Sequence, residues 1–339
     1  MRRGGRRRSR ARSVLRLRVA GLTLALRGRS SARIGAVPAS HRPFLAGRGA
    51  DLDLELVDAP VPRPPRSALL FSSRGPWRVY RLDGGLLYQF RSPACDPQLY
   101  KAVAIDPRRR RGRLLFPRPR RRGPRFPLDH PLDELLFQHR LAQEGALEIH
   151  GCGLIVGGRG VVLCGHSGAG KSTTARLWRR IRPDVPILND DRLVVRPSGR
   201  RFRVWGTPWH GDVPCASPAS APLAAIFFLR HARRTRVSPL APGEAAGRLL
   251  AHSFFPPWEA ETVDRALETC ASVATSVPCR VLRFSPDASA IDAVEEALRA
   301  SPATTARSLA PAPREGRAPI RPAPPGSRSG APGTRSRRP

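Results

Sequence analysis

The chain has 339 residues and a formal charge of +34, which gives room for a sizeable core and raises the question of a nucleic-acid partner. The charge is uneven: residues 1–35 hold twelve Arg and no acid, 108–125 ten Arg and no acid, and 302–339 eight Arg against one Glu, whereas 130–300 sets 21 basic against 17 acidic side chains. Finger spacings and basic surfaces interleaved with aromatics are absent, which excludes a specific nucleic-acid reader, and no apolar stretch reaches the about 18 residues of a membrane span.

In chain order, the leader 1–13 and the tail 302–339 are rich in Arg, Pro, Gly and Ser and poor in aromatics. Such a composition cannot offset the entropy of ordering, so disordered Arg-rich termini are expected, dispensable for stability. Their charge is read as adventitious in preference to a working nucleic-acid tail. Arg7-Arg8-Ser9-Arg10 ahead of Val19–Leu26 has the outline of a twin-arginine export signal. That reading is rejected, because Arg16 and Arg18 abut a run of only eight residues and no small-residue cleavage site follows. Residues 14–126 read as a small β-rich module without legible chemistry. Within it, Trp77-Arg78-Val79 and Leu86–Phe90 flank Asp83-Gly84-Gly85, a hairpin signal with Leu86, Tyr88 and Phe90 on one face. Ala59–Arg66 is a proline-rich connector.

Residues 127–301 read as an α/β domain with a mixed sheet. Leu132, Leu135 and Leu136 share a helical stripe, Asp133 and Glu134 occupy its first turn, and Gly145 follows as a stop. Short apolar runs at 147–150, 154–156 and 161–164, separated by glycines, predict three strands. A helix is predicted over 172–181 with Leu177, Trp178 and Ile181 on its buried side, then a strand over 187–191. Further strands are predicted at 193–195, 202–205, 224–229 and 280–284, and helices at 243–252, 259–274 and 288–299. Six Cys, at 95, 152, 164, 215, 270 and 279, show no zinc-type spacing. Cys164 and Cys270 fall on apolar faces, as small buried residues of a reducing, cytoplasmic compartment do.

Gly165-His166-Ser167-Gly168-Ala169-Gly170-Lys171-Ser172 fits G-x-x-x-x-G-K-S, after a predicted strand and before a predicted helix. The glycines let backbone N–H groups surround phosphate, the helix start adds favourable partial charge, Lys171 reaches the outer phosphates and Ser172 holds magnesium. The ATP-binding set is thus Gly165 to Ser172 with Thr173. Arg outnumbers Lys 58 to 2, so a lysine here is informative; a compact ammonium suits the position better than a planar fork. Asn189-Asp190-Asp191 ends the following strand. One carboxylate can help hold magnesium while the other accepts a proton from an incoming hydroxyl. His150-Gly151 precedes Lys171 by 21 residues. By spacing alone, His150 is as readily a structural histidine as a catalytic one.

In order and spacing, His150-Gly151, the loop and Asp190-Asp191 resemble the catalytic domain of the bacterial HPr kinase/phosphorylase family, which phosphorylates a serine of a small carrier protein. The resemblance covers about residues 130–300 and is specific over 147–192. It implies the P-loop fold shared with ATP-dependent phosphoenolpyruvate carboxykinase and the use of ATP and Mg2+. It further implies that His150 and Lys171 are active-site residues, that Ser172 binds magnesium and that Asp191 is the proton acceptor, which leaves Asp190 for the metal. The chain departs from the family where a magnesium-binding Glu is expected, Arg203 standing before Gly206, and no later stretch resembles the substrate-clamping segment. Instead Gly206-Thr207-Pro208-Trp209-His210-Gly211-Asp212 follows. Either Asp212 supplies the missing carboxylate, or this is a Gly/Pro loop docked by Trp209.

The expected function is transfer of the ATP γ-phosphoryl group to a Ser or Thr hydroxyl of a protein or peptide, by a chain that is free to form oligomers. The alternatives are a nucleotide-dependent switch or scaffold without transfer, and a carboxykinase-like metabolic enzyme.

Overall fold

Large apolar residues recur at every second position from Leu15 to Val19 and from Leu22 to Leu26, and this pattern folds as a hairpin. β1 (Ser13–Val19) and β2 (Leu22–Gly28) pair antiparallel, burying Leu15, Leu17, Val19, Leu22, Leu24 and Leu26. The apolar run with the outline of an export signal, Val19–Leu26, is therefore the end of β1, the hairpin turn and most of β2. The computed structural model describes residues 13–28, 34–82, 84–92, 96–117 and 126–300, all within one compact unit. The expectations for residues 1–12, for the tail from 301 and for Cys95 lie outside the described residues.

A short 3-10 turn at Ala39–Phe44 leads to β3 (Leu52–Asp58), β4 (Leu69–Ser72), β5 (Trp77–Leu82), β6 (Gly85–Ser92), β7 (Asp96–Ile105) and β8 (Arg111–Phe116). With the first hairpin they form an eight-stranded mixed sheet, ordered β1-β2-β3-β8-β7-β6-β5-β4. The hairpin predicted around Gly84 is β5 and β6, with Trp77 opposite Phe90 and Leu82 opposite Gly85. Leu86, Tyr88 and Phe90 join the main core. The other face is covered too: Leu87 packs with Tyr80 and Ala102, against Val61 of the proline-rich connector.

The rest of the described chain runs α1 (Leu132–Gln143), β9 (Leu147–Val156), β10 (Arg159–Cys164), α2 (Lys171–Ile181), β11 (Ile187–Asn189), β12 (Arg192–Ser198), β13 (Arg201–Gly206), β14 (Ser220–His231), β15 (Arg236–Pro239), α3 (Pro242–Ala251), β16 (Ser253–Phe254), α4 (Ala260–Ser276), β17 (Cys279–Phe284) and α5 (Ala288–Arg299). The sheet order is β10-β9-β12-β13-β14-β17-β15, with β11 and β16 on β9 and a further parallel pairing of β10 with β14. Strand β10 and the apolar run Ala225–Leu229 of β14 are covered on both faces, whereas β17 carries the partly buried Arg280 and the exposed Arg283 among its apolar residues. Val161, Leu163, Phe227 and Leu229 pack with Leu177 and Trp178 of α2 and Ile291 and Val294 of α5. Val162, Cys164, Ile226 and Phe228 pack with Ala245 and Leu249 of α3 and Ala266, Cys270 and Val273 of α4. Each large apolar side chain enclosed in this way contributes about 1.5–3 kcal/mol relative to exposure. The described residues thus form an α/β fold with mixed sheets.

Three local expectations are corrected. The runs 147–150 and 154–156 are one strand, β9, because its glycines are packing positions and not breaks: a Cβ on Gly153 would lie 2.5 Å from Leu193 Cδ2. The strand predicted over 187–191 stops at Asn189, whose side-chain oxygen accepts the N–H groups of Asp191 and Arg192 at 2.8 and 3.0 Å and turns the chain. Ile181 is exposed, because the buried stripe of α2 runs through Lys171, Thr174, Ala175 and Trp178 and ends before it.

Candidate active site

Parallel pairing brings the carboxyl ends of β10, β14 and β17 to one edge of the sheet, where ligands bind in open α/β folds. The loop 165–170 leaves β10 at this edge and turns directly into α2. Gly170, the residue before the helix, has φ 98°, and a Cβ there would lie 2.9 Å from the Phe284 ring at the end of β17. His231, at the end of β14, stacks on Phe284, and its Nε2 pairs with the Gly168 carbonyl at 3.0 Å. Ala169 is buried and closes the turn with an N–H bond of 3.0 Å to the His166 carbonyl, while His166, Ser167 and Thr173 are exposed. No side chain caps the start of α2, so its first N–H groups are left for an anion.

Lys171 folds back over the loop and donates to the carbonyls of Gly165 at 2.9 Å and His166 at 3.1 Å. Burial draws its ammonium below the ordinary value, against the pull of Asp191 and Asp190. Ser172 Oγ donates to Asp190 Oδ2 at 3.1 Å. Asp190 is buried, and its oxygens also accept the backbone N–H groups of Gly211 at 2.8 Å and Val213 at 3.0 Å.

Asp191 faces the other way. His150 Nε2 lies 2.8 Å from Asp191 Oδ1, and Arg192 donates to Oδ2 at 2.7 Å. Burial raises the Asp191 carboxyl, but His150, Arg192 and Lys171 together hold it below the usual carboxylate range. The pair meets because β9 and β12 run antiparallel with His150 opposite Arg192. Arg192 is itself fixed: Nε donates to Glu134 at 2.9 Å and the guanidinium lies 4.1 Å over the Phe254 ring. Glu148 Oε1 approaches Arg192 Nε at 3.4 Å without hydrogen-bond geometry. Burial, with Glu134 beside it, pushes the Glu148 carboxyl well above the usual range.

His150, Lys171, Ser172, Asp190 and Asp191 are therefore assembled at one edge around the loop. Arg203 is not among them; it lies on β13 and bonds to Ser220. Asp212 is exposed beside Gly211 and has no hydrogen bond or ion pair among the described residues. Trp209 is buried, as a docked loop requires, with Nε1 donating to Asp133 at 2.7 Å. Sequence reasoning missed Arg192, Glu134 and Glu148. The signal available was a basic residue directly after two acids and a second acid inside an apolar strand.

These residues fit ATP and Mg2+. An uncapped helix start and a lysine satisfied only by loop carbonyls suit phosphate, and a hydroxyl beside a carboxylate is the hard oxygen donor set that magnesium takes. Among the described residues no three His, Cys, Asp or Glu side chains group as a metal cage. The fit is to an ion held in part by phosphate and water.

The family model described as "SynChlorMet cassette protein ScmC" matches residues 134–299, which include every residue of this site. No curated protein matches the chain. Among solved structures, the Hpr(Ser) kinase/phosphatase from Coxiella burnetii is similar at 10% identity, over 45% of this chain and 88% of its own, with a TM-score of 0.28.

Proposed function

We propose that this chain binds ATP with magnesium at the loop 165–172 and transfers the γ-phosphoryl group to a Ser or Thr hydroxyl of a protein or peptide. The observation that carries the reading is the placement of two differently held carboxylates around one glycine loop: Asp190 bonded to Ser172, and Asp191 paired with His150. Lys171 and the first N–H groups of α2 hold phosphate oxygens. Ser172 and Asp190 hold magnesium, which when bound neutralises charge on the outer phosphates. Asp191 takes the proton of the acceptor hydroxyl while the hydroxyl oxygen bonds to phosphorus and ADP leaves with the electrons of the broken P–O bond. His150 and Arg192 orient Asp191. In this reading residues 127–301 form the catalytic domain, 14–126 an accessory β-rich module and the two Arg-rich ends disordered extensions.

One observation favours a second reading. His150 and Arg192 engage the two oxygens of Asp191 and favour its charged form, which weakens it as a base. A nucleotide-dependent switch needs no base. Incubation with γ-labelled ATP and candidate acceptors, with and without magnesium, separates the two: label in an acceptor supports transfer, and tight binding without label in any acceptor supports the switch.

A further inference from the structure

The segment Gly206–Asp212 has no part in the reaction as proposed, yet it is anchored at three places. At one end the N–H groups of Gly211 and Val213 donate to the carboxylate of Asp190. Gly211 has little room for a side chain, since a Cβ would lie 3.1 Å from Asp190 Oδ2 and 3.1 Å from Asp191 Cβ. At its centre Trp209 is buried against Phe137 of α1, and its Nε1 donates to Asp133 Oδ2 at 2.7 Å. The same oxygen meets His41 Nε2, from the 3-10 turn beside the first sheet, at 2.7 Å. Asp133 is fully buried, and its other oxygen has no hydrogen-bond partner among the described residues. Near its start, Thr207 donates to the Arg192 carbonyl at 2.7 Å, and its own carbonyl accepts from Asn189 Nδ2 at 2.9 Å.

A segment with two glycines and a proline does not hold two N–H groups on a buried carboxylate by itself, because its backbone entropy opposes that one geometry. A large aromatic in a closed pocket supplies the missing constraint, and a charge-assisted bond from its ring N–H fixes the rotation. We infer that Trp209 is a positioning residue for Asp190, and that the anchor of Trp209 on Asp133 and His41 sets the magnesium affinity of the site. The inference rests on the assignment of Ser172 and Asp190 to magnesium in the proposed function. Its physical basis is general: partners that orient a metal-binding carboxylate change metal affinity by about 10- to 100-fold when lost.

The test uses the full chain and two variants, Trp209→Phe, which keeps the ring and removes the N–H, and Asp133→Asn, which keeps the volume and removes the charge. Trp205→Phe, a tryptophan outside the anchor, is the control. Magnesium-dependent ATP binding is followed by calorimetry, and amide hydrogen exchange is followed at Gly211 and Val213 without nucleotide or metal. The expected result is a rise of about 10-fold or more in the half-saturating magnesium concentration for both variants, unchanged ATP affinity in the absence of magnesium, and faster exchange at the two amides; the control matches the parent. If either variant fails to fold, the other decides. Unchanged magnesium dependence in a folded variant overturns the inference, as does ATP binding weakened equally at every magnesium concentration. A parent chain that binds ATP without any dependence on magnesium overturns both this inference and the metal assignment, while label transfer judges the kinase reading separately.

Discussion

Two clusters in this molecule pair a histidine with a carboxylate and an arginine, and they differ in what they leave unfinished. In the first, between the eight-stranded sheet and helices α1 and α4, His139 takes Tyr88 OH on Nδ1 at 2.8 Å and Glu259 on Nε2 at 2.7 Å, and Arg109 closes on Glu259. The His139 and Arg109 side chains are 3% and 9% exposed, and both ring nitrogens are used. In the second, the His150, Asp191 and Arg192 side chains are 24%, 28% and 19% exposed, and His150 Nδ1 has no hydrogen bond among the described residues. The first cluster encloses its histidine and arginine, leaves only Glu259 partly exposed at 22%, and joins packed elements. The second lies open beside a glycine loop. Residue type alone does not mark a site; spare bonding capacity next to a ligand cradle does.

The largest effect that sharpens this contrast is expected at the loop. Lys171→Ala removes the only loop ammonium and should reduce phosphoryl transfer to background with the fold intact; titration showing parental ATP affinity and rate would sink the assignment. Next is Asp191→Asn, which should cut transfer by roughly 10²- to 10⁴-fold, the usual share of acid–base catalysis, with ATP affinity changed far less. Equal losses in rate and binding would place Asp191 with the structural groups.

Glu259→Gln probes the closed cluster and should behave in the opposite way. It should cost about 1–3 kcal/mol of stability, the range for hydrogen bonds to charged groups, and leave transfer per folded molecule unchanged. Burial raises the Glu259 carboxyl, but His139 and Arg109 lower it from 4.5 to about 2. The folded state therefore binds this proton less readily than the unfolded chain. The stabilisation is complete above the unfolded value of 4.5 and is lost as pH falls toward about 2. Melting temperatures of the parent and the variant should converge over that window; a constant gap down to the acid end would assign the cost to packing. The smallest effect is expected from Tyr88→Phe, which removes one buried hydrogen bond to His139 and should cost about 1 kcal/mol by chemical denaturation. Any loss of transfer in Tyr88→Phe would break the comparison.

Much of the site was legible because its signals are local. The G-x-x-x-x-G-K-S run needs a strand before it and a helix after it, and β10 and α2 flank it as that local order requires. The pair Asp190-Asp191 was legible as two acids at a strand end, but their division of labour was not. Asn189 folds under them and sends one carboxylate toward Ser172 and the other toward His150. Gly151 and Gly153 looked like strand breaks because glycine read alone signals flexibility. In the fold they admit neighbours from β10 and β12. Arg192 escaped notice because one arginine among 58 stands out only by its place directly after two acids, and its partners Glu134 and Glu148 are distant in sequence.

By itself the sequence determined the glycine loop between a strand and a helix, the periodicities of helices and strands, and the uneven placement of charge, because each depends on residues adjacent along the chain. Only the tertiary structure decided which histidine meets which acid, since that depends on strand register: β9 against β12 places His150 beside Asp191, and α1 against the first sheet places His139 in a closed cage. It also decided the fate of the two lysines. Lys101 is buried under Asp129 and over the Phe90 ring, whereas Lys171 stands at the carboxyl edge of the sheet, bonded only to carbonyls that a phosphate can replace. One lysine is enclosed by packing and the other is left at an open edge, a difference set by where each strand ends in space.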